Sequence, residues 1–316
     1  YDLAQQGNLA KPAVLAAEVE RMTRDPRSKQ KLYSFFSYWL KMDKASNATK
    51  DKQAFPNFDE ALVADLRDSL FLYLDEVVWS KKSDFRDLFL ADYLVANRRI
   101  ADFYELEREG DEEGFQKMQV NQDQRAGILT HPYLMTGFAY HKDSSPIHRG
   151  VFVAKSLLGR RLRQPPNNVK PLTEEFNPKM TTRERVSHQT KETACMNCHS
   201  VINPLGFSLE NYDAVGRYRT EEKQKPIDVS SVYKTPDGKK IELNGARDLA
   251  KFLANNKMAQ RSFIQQLFNH YAKQSIDAYG EGQLDKIHQR FVENEFNVQK
   301  LLVDLSLVFI EHDLGE

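Results

Sequence analysis

Two cysteines in 316 residues are too few for the disulfide framework that holds small secreted domains together. Net charge is nil, with 45 Lys and Arg against 45 Asp and Glu, and no basic half stands out. The concentrated cationic surface that displaces counterions from phosphate backbones is therefore missing, and nucleic acid is not an expected partner. Apolar runs are short as well. Val77-Val78-Trp79, and Leu301-Leu302-Val303 with Leu305 to Ile310, are broken by charge and fall short of the roughly 20 residues of a bilayer-spanning helix. No transmembrane segment is expected in this chain. No cationic and apolar leader opens the sequence, and Tyr1 is not an initiator Met, so it reads as a processed or trimmed product. Familiar catalytic signatures are missing too: there is no glycine-rich phosphate loop, no Gly-x-Ser-x-Gly elbow and no His-Glu-x-x-His. Carboxylates are plentiful, but on helix faces they signal solvation, and no glycosidase pair stands out.

What the chain does have is a particular placement of its two cysteines. They lie three residues apart in Cys195-Met196-Asn197-Cys198-His199, and Cys-x-x-Cys-His is the attachment signature of c-type haem. The chemistry explains the spacing. Each thiol adds to one vinyl group of the porphyrin as a thioether, and the two intervening residues bend into a helical turn that presents both sulfurs to one macrocycle edge. His199 then reaches the iron as proximal ligand. A thioredoxin-like redox pair would want a βαβ context and a zinc site a second ligand pair at matching spacing; neither accompanies the motif. One covalently attached haem c is the expected cofactor. Because that attachment occurs outside the bacterial cytoplasm, the expected location is the periplasm or the cell surface.

Hydrophobic periodicity makes most of the chain helical. Lys11 to Met22 opens with Pro12 in the first turn and keeps Val14, Leu15, Val19 and Met22 on one side. Leu32, Tyr33, Phe35, Phe36, Trp39 and Leu40 form a second stripe, read as ordinary core in preference to a ligand platform. The strongest helix runs from Phe58 to Trp79, followed by Asp84 to Leu90 and Asn97 to Tyr104. Residues 106 to 145 read as an irregular connection, Pro146 to Leu158 as a helix closed by Gly159, and Thr181-Thr182-Arg183-Glu184 as a capping box that launches a helix through His188. Pro-Asp-Gly marks a hairpin within Tyr233 to Leu243. Helices are expected at Ala246 to Asn255, Ala259 to Ile276, Gln283 to Glu293 and Asn297 to Ile310. The expected fold is mainly α: a helical domain over 1–163, a Pro-rich linker over 164–180 carrying Pro165, Pro166 and Pro171, and a cytochrome c-like helical domain with one small β-hairpin over 181–316.

Downstream of the haem motif, Pro204-Leu205-Gly206-Phe207, Glu210-Asn211-Tyr212-Asp213 and Gly216-Arg217-Tyr218-Arg219 closely resemble the planctomycete- and myxobacterial-type multidomain cytochrome c proteins of uncharacterised function. Upstream, Arg125-Ala126-Gly127-Ile128-Leu129-Thr130 and Ser145-Pro146-Ile147-His148-Arg149-Gly150 are similar to that family's Arg-x-Gly-Leu-Leu-Thr and Ser-Pro-x-x-Arg-Gly elements. The stretch from Gly7 to Arg27 and Phe55-Pro56-Asn57-Phe58 also fit. The closing helix departs from the pattern, with Tyr271-Ala272-Lys273-Gln274 where the family ends Tyr-Ala-Leu-Gly-Arg. The resemblance implies the C-terminal part of a longer polypeptide, electron transfer through the haem, redox partner proteins, and association with other subunits or polysaccharide.

The iron's second axial ligand separates electron transfer from catalysis, because two strong ligands leave no site for a substrate. Met258, just ahead of the amphipathic helix carrying Phe263, Ile264, Leu267 and Phe268, resembles the late Met of small c-type cytochromes, although a Met is more often a core gap-filler. His188, His270, His148, His131 and Met135 are the other candidates; His188, so near the proximal helix, reads rather as a propionate or helix partner, and a lone His such as His270, His148 or His131 is more often structural than ligating. Arg217 and Arg219 suit haem propionates, because guanidinium binds carboxylate bidentately. A backbone carbonyl near Pro204 is the expected acceptor for the His199 Nδ1 proton. The leading expectation is a monohaem electron carrier. The alternatives are a peroxidase- or oxygenase-like haem enzyme with an open site near His148 or His131, and an assembly subunit with an accessory haem.

Overall fold

Helices form where apolar periodicity and capping residues coincide. Pro12–Thr23 begins on its proline, Asp25 caps Pro26–Trp39 by accepting from the Arg27 amide, and Asp59 caps Glu60–Trp79 by accepting from Leu62 N at 2.8 Å. The long helix sinks Leu62, Leu66, Leu70 and Leu74 completely. The computed structural model describes residues 2–107, 110, 113–162 and 178–315 and is 57% helical. The chain is mainly α, as the periodicity predicts. Among the described residues no helix is long and apolar enough to cross a membrane.

The aromatic stripe of Pro26–Trp39 is core. Phe35 and Trp39 meet Phe263 edge-on at 5.6 and 5.1 Å, and Trp39 Nε1 donates to Ser156 O at 2.8 Å. Phe85 joins the same cluster through Phe263 and Phe291. One hydrophobic cluster thus runs from Leu32 to Val308, and residues on both sides of the 164–180 segment share it. Most of that segment, with Pro165, Pro166 and Pro171, lies outside the described residues.

The expected hairpin pairs Ser230–Lys234 with Lys240–Asn244, with Tyr233 opposite Ile241 and Gly238 at φ 88° in the turn. Two smaller antiparallel ladders join it: Tyr93–Ala96 with Gln116–Gln119, and Glu221–Glu222 with Lys225–Pro226. The first lies partly in the stretch read as irregular, which also holds a 3₁₀ turn at Gly127–Thr130 and a helix at Pro132–Gly137. A four-residue strand with only Met118 buried has too little alternation to register as a period. The helix expected from Asp84 is confined to Asp87–Leu90. Phe85 N donates instead to Phe296 O at 2.9 Å, so a tertiary partner takes the backbone that local propensity would have coiled.

Candidate functional site

The site is prepared by the helix Thr182–Gln189. Its capping box closes as the sequence predicts: Glu184 N donates to Thr181 Oγ1 at 3.2 Å and Thr181 N to Glu184 Oε2 at 2.8 Å. Three contacts fix this helix to the strands that follow the site. Lys225 pairs with Glu184 at 2.8 Å, Thr182 N and Oγ1 both donate to Glu222, and Arg183 donates to the carbonyls of Asp228 and Ser230.

Thr193–Phe207 is the helix that bears the cysteines. Cys195, Cys198 and His199 stand at i, i+3 and i+4, on one face. All three are half-buried and both thiols are free, while Met196 between them is 38% exposed. The second half of the helix is anchored. Ile202, Asn203, Leu205, Gly206 and Phe207 are buried, and the helix crosses Pro146–Phe152 with backbones in contact. A Cβ on Gly150 would clash with Ile202 O, and one on Gly206 with Pro146 O. The cysteine-bearing turns therefore project from a rigid base.

His199 Nδ1 lies 2.8 Å from Asn203 Oδ1, and Asn203 Nδ2 donates to Thr190 Oγ1 at 2.9 Å. The imidazole partner is thus a side-chain amide and not the backbone carbonyl near Pro204 that the sequence suggested. Pro204 O is occupied by the hydroxyls of Ser208 and Ser231. Asn203 and Thr190 are the residues that sequence reasoning missed, although the i, i+4 spacing of His199 and Asn203 on a helix was a usable signal.

The segment after this helix is held by arginines from the two upstream motifs. Arg149, fully buried, donates to the carbonyls of Leu209, Tyr212 and Asp213 at 2.6–2.8 Å. Arg125 donates to Thr130 O and Gly216 O between the rings of Tyr104 and Tyr212. Burial pulls Arg149 down to about 10 and pushes the neighbouring Glu210 carboxyl up. Glu210 accepts from Ser144 Oγ and lies 3.8 Å from Arg149 and 3.7 Å from Arg219. Arg219 is thereby a member of a buried ion network.

The remaining sequence candidates lie elsewhere. Arg217 stacks its guanidinium on Phe103 at 4.0 Å and lines a cavity of about 690 Å³ with Tyr104, Arg125 and Tyr218, to which no residue of the cysteine-bearing helix contributes. Met258 sits in the first turn of Lys257–Ala272 and lines a second cavity, of about 790 Å³, with Pro236 and Asp237 of the hairpin turn and Phe252. No residue of 193–207 reaches that cavity either. His188 is exposed near the end of the run-up helix. His148 packs on Tyr140, and His270 between Phe35 and Tyr38; burial lowers the pKa of both. His131 is a core residue and not an open-site candidate. Its Nδ1 accepts from Tyr133 N at 3.3 Å, which leaves the proton on Nε2, 3.2 Å from Ser69 Oγ; Ser69 Oγ in turn donates to Val95 O. Burial pulls its pKa down to about 3. Met135 is fully buried.

Two free thiols and one imidazole on a single half-buried face fit covalent haem attachment: neither cysteine is sealed in the core, and with Nδ1 engaged the imidazole has Nε2 left for a metal. Among the described residues no cluster of three or more His, Cys, Asp or Glu is arranged around a common metal position. Residues 125–222 match the family model PSCyt3, described as a protein of unknown function (DUF1588), and residues 1–106 match PSD4, described as a protein of unknown function (DUF1592). Both are domains found in planctomycete-type multidomain cytochrome c proteins. The PSCyt3 match opens on Arg125 and closes on Glu222, so it takes in the cysteine-bearing helix, Arg149 and the buried ion network. Tyr104, in the PSD4 match, donates to Val215 O in the PSCyt3 match at 2.7 Å. No curated protein and no solved structure matches the chain.

Proposed function

We propose that this chain is the haem-bearing part of a c-type cytochrome that passes electrons in the periplasm or at the cell surface, within a larger protein or complex. The observation that carries the reading is the shared face of Cys195, Cys198 and His199, with both thiols free and the His199 Nδ1 already hydrogen-bonded. Bound there, the haem iron supplies a one-electron couple. The chain's own work is to hold and orient. Cys195 and Cys198 tether the porphyrin edge, His199 offers Nε2 to the iron, and the buried half of the helix keeps all three in register. The exposed flank around Met196 leaves room for a redox partner to approach the attached group.

Met258 is proposed as the iron's second ligand on the sequence pattern alone, since in the structure it lines a cavity that no residue of 193–207 reaches, and this finer point has its own test. Near-infrared absorption of the oxidised protein reports a sulfur-to-iron charge-transfer band when Met is bound. A band that vanishes in Met258→Ala supports the closed His/Met site and electron transfer. A high-spin iron that binds carbon monoxide contradicts it and favours the haem-enzyme reading. A low-spin iron without the band also contradicts it and moves the assignment to His188, His270 or His148.

A further inference from the structure

We propose that Asn203 and Thr190 are positioning residues that fix which nitrogen of His199 faces the iron. The inference rests on the reading of His199 as proximal ligand and follows from the direction of three hydrogen bonds. Thr190 Oγ1 lies 2.8 Å from Val186 O. A carbonyl only accepts, so the hydroxyl's single proton goes there. Thr190 Oγ1 can then only accept from Asn203, 2.9 Å away, which obliges the amide to turn its NH₂ toward Thr190. Its oxygen therefore faces His199, and an amide oxygen only accepts, so the proton must sit on Nδ1 at 2.8 Å. Neutral His199 is left with a bare lone pair on Nε2, the atom a metal needs.

Asn203 and Thr190 are 8% and 6% exposed, so water does not compete for these bonds, and reversing the relay would set Thr190 Oγ1 against Val186 O at 2.8 Å with no proton between the two oxygens. The relay also joins two elements. Thr190 is the C-cap of Thr182–Gln189, whereas His199 and Asn203 are one turn apart on the next helix. The strapping of the first helix by Glu222, Lys225 and Ser230 thereby orients the imidazole on the second. Loss of the acceptor removes electron density from the ring and disfavours the oxidised iron, so the midpoint potential rises; a stronger acceptor lowers it.

The experiment has two readouts that fail separately. In the haem-free chain carrying Cys195→Ser and Cys198→Ser, nitrogen NMR of His199 is expected to show the Nδ1–H tautomer, the form that histidine free in water disfavours. Asn203→Leu is expected to shift it to Nε2–H, and Thr190→Val, which frees the amide to turn over, to a mixture. In the haem-loaded protein Asn203→Leu raises the midpoint potential and Asn203→Asp lowers it, opposite signs that general damage to the fold does not produce. An Nε2–H tautomer in the haem-free chain that keeps Asn203 and Thr190, or a loaded protein whose potential ignores both variants, overturns the inference. A chain that shows the Nδ1–H tautomer but never acquires covalent haem instead overturns the cytochrome reading and leaves the relay standing.

Discussion

Arg149 carries three carbonyls and balances Glu210 with no solvent contact. Replacing it with Met strands Glu210 beside the looser Arg219 and leaves those carbonyls without their donor. The expected loss is about 3–5 kcal/mol of unfolding free energy, read by urea titration at neutral pH. His131 predicts a pH dependence of definite sign. Folded, its pKa is about 3 against an ordinary 6.5, so the unfolded chain binds a proton there that the folded chain refuses. Stability from this group is complete above pH 6.5 and falls as pH drops toward 3. Between pH 7 and pH 5 its share is about 2 kcal/mol, and His131→Gln should lose that share of the slope. At this scale the cysteine motif was legible because its chemistry is local, five residues in a row. The roles of Arg125 and Arg149 were not, since their carbonyl partners Gly216 and Tyr212 lie many residues downstream.

The crossing of Pro146–Phe152 with Thr193–Phe207 is the element that supports the site. Gly150 and Gly206 each press a bare Cα against the other helix's backbone, where no side chain can rotate aside. Gly206→Ala and Gly150→Ala should therefore each cost about 3 kcal/mol, at the upper end of overpacking, with lowered haem retention because the crossing sets the pitch of the cysteine-bearing turns. Denaturant midpoints and haem yield after maturation check both effects. Helices were readable wherever a cap and a period agreed, as at Asp59 with Leu62, Leu66, Leu70 and Leu74, or in the Thr181 box with Glu184. The ladder of Gln116–Gln119 was not, because pairing with Tyr93–Ala96, and not the strand's own pattern, creates it. Asp84 and Phe85 depart from the helix their local pattern predicts for the same reason, being claimed by Asn297 and Phe296.

Across the whole molecule the core is continuous: Trp39 rests on Phe263, Phe85 on Phe291, and Val298 N donates to Ser83 O at 2.8 Å. Residues 1–163 made alone would expose the faces that Phe263 and Phe291 cover. They should therefore fail to give the sharp thermal transition of the full chain, which should unfold in one step by near-ultraviolet and far-ultraviolet circular dichroism alike. Helical class was legible because most of the chain repeats with one period. Contact between its two ends was not, because periodicity names a buried face without naming what buries it. The central claim is covalent haem on Cys195 and Cys198, and its most direct measurement is the denatured mass of the protein made in a host with a c-type maturation pathway, together with its haemochrome spectrum. One haem retained through denaturation, with a thioether-type spectrum, and lost in Cys195→Ser with Cys198→Ser, is the predicted result. An unmodified polypeptide mass, or haem that extracts into acidified solvent, would contradict it.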